Sequence, residues 1–167
     1  MKNRNETRTS ERHFPLVPRM VATVFGIGYL PLAPGTWSAI FAVLIWLPLY
    51  LWASPWVTLA ATAAGTVFFS VAGVWASNVA ERYWGKDPVV ACVDETAGQL
   101  VALLPLCGVS PWWEILVSLA LFRFFDIFKP LGIRRLENIP GGWGMMADDL
   151  AAGLYSALIL LAVNLMI

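Results

Sequence analysis

The run TWSAIFAVLIWLPLYLW, at residues 36–52, is apolar around the whole circumference of a helix and is followed by Pro55, which disfavours continuation of the helix. Its length approaches the roughly 20 apolar residues that a membrane-spanning helix needs. The whole chain has the same character: 59% of its residues are hydrophobic and 13% are charged, where soluble domains average roughly 25% charged. The sequence therefore predicts an all-α, polytopic integral membrane protein.

Four further apolar runs lie outside this one. Residues 55–80 carry no charge and are rich in Ala, Gly, Ser and Thr, which permit close packing of membrane helices. Two shorter runs, at 89–106 and 112–128, are separated by a Gly- and Pro-containing turn and are predicted to form a tight helical pair. The last run, at 150–167, is again long enough to span. The sequence thus predicts about five membrane-embedded helices.

The lysines and arginines determine the predicted orientation. Five lie in the first 19 residues, two in the loop after the second run, and four between residues 123 and 135. With five embedded helices and a cytoplasmic N-terminus, all 11 face the cytoplasm, and Glu114 is the one acid on the opposite face. We therefore predict a cytoplasmic tail at residues 1–19 and a membrane-embedded domain at 20–167. The zero net charge excludes a strongly basic nucleic-acid binder.

Acidic residues of three segments are predicted to meet at the cytoplasmic face. Carboxylates near hydrocarbon are costly unless paired or functional. There are ordinary alternatives, since Asp148 or Asp149 could cap a helix and Arg123 with Asp126 could be an interfacial ion pair. The segment PGGWG at 140–144 is predicted to form a turn that presents Asp148 and Asp149. Five carboxylates exceed what caps and ion pairs require, and hard oxygen ligands suit Mg²⁺. We predict a Mg²⁺ site from Asp94, Glu95, Asp126, Asp148 and Asp149.

Cations and backbone amides could hold a phosphate beside these acids. Arg123 and Lys129 lie on one helical stripe, and arginine can bind two phosphate oxygens at once. Arg134 is a further phosphate-binding candidate, with membrane anchoring as its alternative. The amides of Gly35 and Thr36 could hold an anion at a helix N-terminus, and a plain helix cap at Thr36 is an equal alternative.

The residue inventory narrows the enzyme classes. The only histidine, His13, lies in the tail, and neither cysteine is followed by arginine six positions later, which argues against histidine- and cysteine-based phosphatases. A metal-activated water is the simplest remaining nucleophile. Two other classes fit less well, because three of the five runs carry no charge and no array of aspartates over consecutive helical turns occurs. A small ion or solute transporter predicts charge near the middle of several spans, and a phospholipid synthase predicts several aspartates over consecutive helical turns.

Three segments resemble the phosphatidylglycerophosphatase A family. They are FGIGYLPLAPGTWSA at 25–39, VDETAGQLVAL at 93–103 and FRFFDIFKPLGIRRLENIPGGWGMMADDLAAG at 122–153. The third is the most specific, because it combines FRxFDxxKP with GGxGxMxDDxxAG at the spacing of the family. It departs mildly where Leu131-Gly132 follows Lys129-Pro130, and where Met145 replaces a common isoleucine.

The resemblance implies a Mg²⁺-dependent phosphatase of the bacterial inner membrane, with its active site facing the cytoplasm. Its substrate would be phosphatidylglycerophosphate in the cytoplasmic leaflet, hydrolysed to phosphatidylglycerol in the last step of making that lipid. In this interpretation Mg²⁺ polarises the terminal phosphate and lowers the pKa of a bound water. Asp148 or Asp149 acts as general base, and Arg123 and Lys129 neutralise the phosphoryl oxygens. An aspartyl-phosphate intermediate and a different lipid phosphate as substrate are the alternatives.

Overall fold

The computed structural model of the chain describes residues 14–108, 110–130 and 132–166. These residues form helices and loops without a strand, which confirms the predicted all-α fold. Three short 3₁₀ turns, at Ile27–Tyr29, Leu104–Leu106 and Ile133–Asn138, lie between the helices. The α-helices of the described chain are α1 (Leu16–Ala22), α2 (Pro34–Trp52), α3 (Pro55–Trp84), α4 (Val93–Leu103), α5 (Trp113–Phe128) and α6 (Gly142–Met166).

Three helices are long and apolar enough to cross a membrane. Among the described residues, they are α2, α3 and α6, with 19, 30 and 25 residues. Large apolar side chains cover their outer faces, for example Phe68 and Val71, each 65% exposed. Such surface is too extensive for contact with water and suits lipid.

The other two predicted spans are shorter than the sequence suggests. Helix α4 has 11 residues and α5 has 16. At about 1.5 Å per residue, neither crosses the roughly 30 Å of a bilayer's hydrocarbon region. The run at 89–106 is interrupted because Cys92 precedes the first turn of α4 and a 3₁₀ turn follows its end. Five embedded helices and a cytoplasmic N-terminus therefore stay predictions.

Helix α4 lies at the centre of the bundle, with nearly all of its side chains buried. Its most extensive packing is against α6, followed by α3 and α2. Helix α4 also contacts α5, as the predicted tight pair requires, but less extensively than it contacts the three long helices. The reason is the close approach of α4 and α6 at Gly98 and Gly153: a Cβ atom built on Gly153 would lie 2.2 Å from the Gly98 carbonyl oxygen. Small residues at such crossings let membrane helices pack backbone to backbone.

Replacement of Gly153 by alanine is expected to destabilise the fold. The added methyl group meets main-chain atoms that cannot rotate away, and overpacking of this kind costs about 1–3 kcal/mol. Gly65→Ala is the matched control, because the nearest atom to its Cβ is a Leu100 methyl carbon at an ordinary 3.5 Å. Thermal unfolding in detergent should show a lower midpoint for Gly153→Ala and an unchanged or higher one for Gly65→Ala. Equal midpoints would contradict this account of the α4–α6 contact.

Helix α6 begins at Gly142, eight residues before the predicted start. A Cβ on Gly142 would lie 2.5 Å from the Val74 carbonyl oxygen, so the glycine serves close packing against α3 rather than a turn. Only Gly141, with a φ of +70°, has a left-handed turn conformation in this segment. The Asn78 side-chain oxygen accepts a 3.0 Å hydrogen bond from the Gly142 amide and so satisfies the first turn. Asp148 and Asp149 therefore lie inside a helix and do not cap one.

The N-terminal segment is partly structured against α3. Residues 1–13 of the predicted tail lie outside the described residues, residues 16–19 belong to α1, and the predicted boundary after residue 19 stays a prediction. The Phe14 ring stacks on Tyr83 at 4.8 Å between centroids. The Cys92 amide donates a 2.8 Å hydrogen bond to the Ala22 carbonyl oxygen, which fixes this segment beside the start of α4.

Glu114, predicted to lie on the opposite face from the other acids, is 1% exposed. It lies in the first turn of α5, where the positive end of the helix dipole favours a carboxylate.

Candidate active site

Three helices bring the predicted charged residues to one cavity of about 320 Å³. The first turn of α4 contributes two acids, the last turns of α5 contribute Arg123 and Asp126 with Lys129 just beyond, and α6 contributes two more acids. The charged residues lining the cavity are Asp87, Asp94, Glu95, Arg123, Asp126, Lys129, Asp148 and Asp149. The structure thus assembles all five predicted carboxylates and two of the predicted cations.

Hydrogen bonds to α2 hold the start of α4 in place. The Ser38 hydroxyl donates to the Cys92 carbonyl oxygen just before α4 begins and lies 2.7 Å from the Thr96 hydroxyl. The Glu95 amide donates to Asp94 Oδ1 at 3.2 Å. Carboxylates in the first turn of a helix are also favoured by its dipole. Two acids are therefore held at the end of a buried helix without a cation of their own.

Asp94, Glu95 and Asp149 form a cluster of three carboxylates. One oxygen from each lies within 4.8 Å of the other two. Asp94 and Asp149 are buried, and Glu95 Oε2 has no hydrogen-bond partner. Burial raises the pKa of Asp94, and the charge of Glu95 raises it further. Burial likewise raises the pKa of Glu95, although its hydrogen bond with Asp94 and the charge of Arg123 oppose the shift.

This cluster has the chemistry of a divalent-cation site. Buried carboxylates that repel one another need a proton or a bound cation, and an unpartnered oxygen is available as a ligand. Oxygen-only donors of this kind suit Mg²⁺. The donor set therefore fits the predicted metal with three of the five predicted ligands.

The other two predicted ligands are ion-paired. Asp126 forms a salt bridge with Arg123 three residues earlier. Asp148 forms a salt bridge with Lys129, which also bonds Glu137 at 2.8 Å. Lys129 ends α5 with a φ of +46°, and this left-handed conformation turns the chain at Pro130. Burial lowers the pKa of Lys129, but the hydrogen bonds that Lys129 donates to Asp148 and Glu137 outweigh it and raise the pKa overall.

The cavity is strongly negative. Six lining carboxylates against two lining cations leave a formal charge of −4. A phosphate monoester, itself dianionic near neutral pH, is repelled from such a cavity unless additional cations bind. A phosphate ligand in this cavity would therefore need protonation of some of these carboxylates or additional cations.

Of the remaining predicted phosphate-binding residues, one borders the cavity and two do not. Gly35 borders the cavity, and a Cβ on it would lie 2.0 Å from Glu95 Oε1. The Thr36 amide donates to the Ala33 carbonyl oxygen at 3.0 Å inside the first turn of α2, and Thr36 does not line the cavity. Arg134 is exposed in the third 3₁₀ turn and does not line it either. Glu137, which the sequence did not single out, bonds Lys129 from that same turn.

The sequence matches a family model described as Phosphatidylglycerophosphatase A over residues 20–164. A putative phosphatidylinositol-3-phosphatase of Bacteroides thetaiotaomicron is 46% identical over 145 residues, covering 86% of this chain and 91% of that protein. Two proteins named phosphatidylglycerophosphatase A are also similar. The one from Haemophilus influenzae is 30% identical, with 87% of each chain covered. The one from Escherichia coli is 31% identical, with 84% of this chain and 80% of that protein covered. No solved structure matches the chain.

Proposed function

The chain belongs to the phosphatidylglycerophosphatase A family, and we propose that it removes the terminal phosphate of phosphatidylglycerophosphate in a Mg²⁺-dependent reaction. The reaction would complete the synthesis of phosphatidylglycerol in the inner membrane of a bacterium, with the active site facing the cytoplasm. The single observation that carries the proposal is the buried cluster of Asp94, Glu95 and Asp149 beside Arg123 and Lys129. It combines ligands for a divalent cation with cations for a phosphate.

Asp94, Glu95 and Asp149 are the residues that would hold Mg²⁺. The bound ion would supply positive charge to the phosphoryl oxygens and so favour attack at phosphorus. The formal charge of −4 in the cavity supports this dependence, since a dianionic phosphate is repelled by it and a bound cation reduces the repulsion.

Arg123 and Lys129 would bind the phosphoryl oxygens. Each is held by a carboxylate, Asp126 or Asp148, so each side chain is oriented before substrate arrives. Arg123 Nε has no hydrogen-bond partner and is available to a phosphate oxygen. Preoriented donors of this kind stabilise charge that develops in the transition state.

Asp148 would serve as the general base. One of its oxygens, Oδ2, accepts from Lys129, while Oδ1 is buried and has no partner. The free oxygen is able to accept a proton from the attacking water, and the salt bridge fixes the direction of the carboxylate. This assignment narrows the choice between Asp148 and Asp149, because Asp149 lies within the carboxylate cluster.

A second substrate is favoured by one specific observation. The relative from Bacteroides thetaiotaomicron, 46% identical over 145 residues, is named a putative phosphatidylinositol-3-phosphatase. Phosphatidylinositol 3-phosphate is also a lipid phosphomonoester, so the same chemistry applies to both substrates.

Phosphate release from purified protein tests the proposal. In detergent with Mg²⁺, we expect phosphate release from phosphatidylglycerophosphate. Release from phosphatidic acid and from p-nitrophenyl phosphate should be at least about tenfold slower. Both lack the glycerol headgroup, and binding of such remote parts of a substrate accelerates the reaction at the phosphate. Phosphatidylinositol 3-phosphate belongs in the same assay, as the second candidate. EDTA should abolish release, and added Mg²⁺ should restore it. Release from none of these compounds, or release unchanged in EDTA, would sink the proposal.

A further inference from the structure

A second cavity of about 330 Å³ adjoins the active-site cavity. Asp87, Met145 and Asp148 line both of them, so the two are contiguous. The charged lining of the second cavity comes from the end of α3, the α3–α4 loop, the third 3₁₀ turn and α6. These residues are Glu81, Lys86, Asp87, Glu137 and Asp148.

The lining offers hydrogen-bond acceptors and a negative potential. Four carboxylates and one lysine line the cavity, and Lys129, which bonds Glu137 and Asp148, reduces the formal charge to −2. An ionised carboxylate only accepts hydrogen bonds, so the cavity suits hydroxyl groups and disfavours anions. Glu81 receives only a long 3.4 Å contact from the Asp87 amide. Asp148, which is 3% exposed, has one oxygen without a partner at the boundary between the cavities.

We propose that this second cavity binds the hydroxyl-bearing part of the lipid headgroup next to the scissile phosphate, and that its carboxylates exclude headgroups with a further phosphomonoester besides the scissile one. The inference rests on the proposed function, because it places the scissile phosphate between Arg123 and Lys129. Its volume is sufficient for a polyol such as glycerol or an inositol ring. Glu81 and Asp87 are then specificity-determining residues that take no part in phosphate transfer.

Soluble headgroup analogues test this subsite as inhibitors of the lipid hydrolysis that the wild type performs. The first pair is glycerol 3-phosphate and propyl phosphate, which differ in their hydroxyl groups. The second pair is inositol 3-phosphate and inositol 3,4-bisphosphate, which differ by one phosphate. In the wild type, we expect glycerol 3-phosphate to inhibit at severalfold lower concentration than propyl phosphate, and the monophosphate at about tenfold lower concentration than the bisphosphate.

Two variants test whether the carboxylates of Glu81 and Asp87 cause these inhibitor preferences. Glu81→Gln and Asp87→Asn each remove one negative charge, and asparagine tolerates the left-handed φ of +50° at position 87. In each variant, the ratio of the inhibitory concentrations of the bisphosphate and the monophosphate should fall by about two- to fivefold. The change is no larger because both side chains are accessible to solvent, which screens their charge. The matched control is Glu114→Gln, the same chemical change in a separate cavity with Pro105 and Asn164. Its two inhibition ratios should equal those of the wild type.

The outcomes separate the inference from the proposed function. If the wild type is active but the two members of either pair inhibit it equally, the subsite is overturned. It is also overturned if the ratios of inhibitory concentrations stay unchanged in both Glu81→Gln and Asp87→Asn. Ratios that narrow in these variants but not in Glu114→Gln support it. If the wild type hydrolyses no lipid phosphomonoester, the proposed function fails and the subsite falls with it.

Discussion

Asp149→Asn is expected to abolish phosphatase activity and, at the same time, to stabilise the metal-free protein. Asp149 is 4% exposed and shares the cluster with Asp94 and Glu95, and none of the salt bridges among the described residues includes one of these three acids. Without metal, the substitution removes one of three mutually repelling charges from a buried position. With metal, it removes a ligand. Loss of the ligand removes several kcal/mol of transition-state stabilisation. Because each tenfold change in rate corresponds to about 1.4 kcal/mol, turnover should fall at least about a hundredfold.

Thermal unfolding in EDTA and in Mg²⁺ separates these two effects. The wild type should unfold at a higher temperature in Mg²⁺, because a ligand that binds only the folded state stabilises it. Asp149→Asn should unfold later than the wild type in EDTA, by roughly 2–4 °C per kcal/mol of relieved repulsion, and should gain little from Mg²⁺. An unchanged response of this variant to Mg²⁺ would remove Asp149 from the metal site.

Asp126→Asn provides the matched comparison, because it makes the same chemical change in the same cavity. Asp126 is paired with Arg123, so its replacement leaves a half-buried guanidinium without its partner. The substitution also relieves the repulsion of Asp126 with Glu95 and Asp149, so in EDTA this variant should unfold earlier than Asp149→Asn, which breaks no ion pair. If Asp126→Asn unfolds as late as Asp149→Asn or later, the division of the five acids into a metal cluster and ion pairs is wrong.

The membrane character and the gathering of charge at one end of the bundle were predictable from the sequence. Runs without charge leave few positions for ionisable groups, and those groups collect where the helices end. The spanning helices α2 and α3 lack charged residues up to Glu81, which does not fit the charge near mid-membrane that a transporter predicts. Membership of a phosphatase family agrees with this.

Helix lengths were less predictable, because apolar composition does not distinguish lipid from protein as the surroundings of a helix. Helix α4 is apolar along most of its length since it is enclosed by other helices, and its 11 residues are too few to span. The start of α6 was misplaced for a related reason. Glycines read as a turn instead allow α6 to pack against α3 near Val74.

The site residues were predictable as a set, but their division was not. The sequence predicted one metal site from five acids, whereas the structure pairs Asp126 and Asp148 with cations and leaves three acids clustered. Spacing along the chain does not reveal which carboxylate a lysine reaches across two helices. Glu137 was missed for that reason, since it meets Lys129 only through the third 3₁₀ turn.

Gly35→Ala is expected to inactivate the enzyme with little effect on the fold. A Cβ at this position would lie 2.0 Å from Glu95 Oε1 and 3.0 Å from an Arg123 nitrogen. Both neighbours are ends of flexible side chains, so they can move without disturbing the helices. Moving them displaces one proposed metal ligand and one proposed phosphate ligand together. A misplacement of about 1 Å can cost a hundredfold in rate, so we expect kcat to fall by about that factor.

The comparison of Gly35→Ala with Gly65→Ala tests whether the loss arises from this contact. Both changes add one methyl group to a glycine within a helix, but Gly65 has no atom closer than 3.5 Å to the new carbon. Gly65→Ala should keep wild-type turnover, while both variants should unfold close to the wild-type temperature in EDTA. Because Gly35 acts through Glu95, the double variant Gly35→Ala/Glu95→Asp should be no slower than the slower single variant. If the rate losses of the two single variants multiply in the double variant, the two residues act independently. Near-normal turnover of Gly35→Ala would show that the position of Glu95 is not critical.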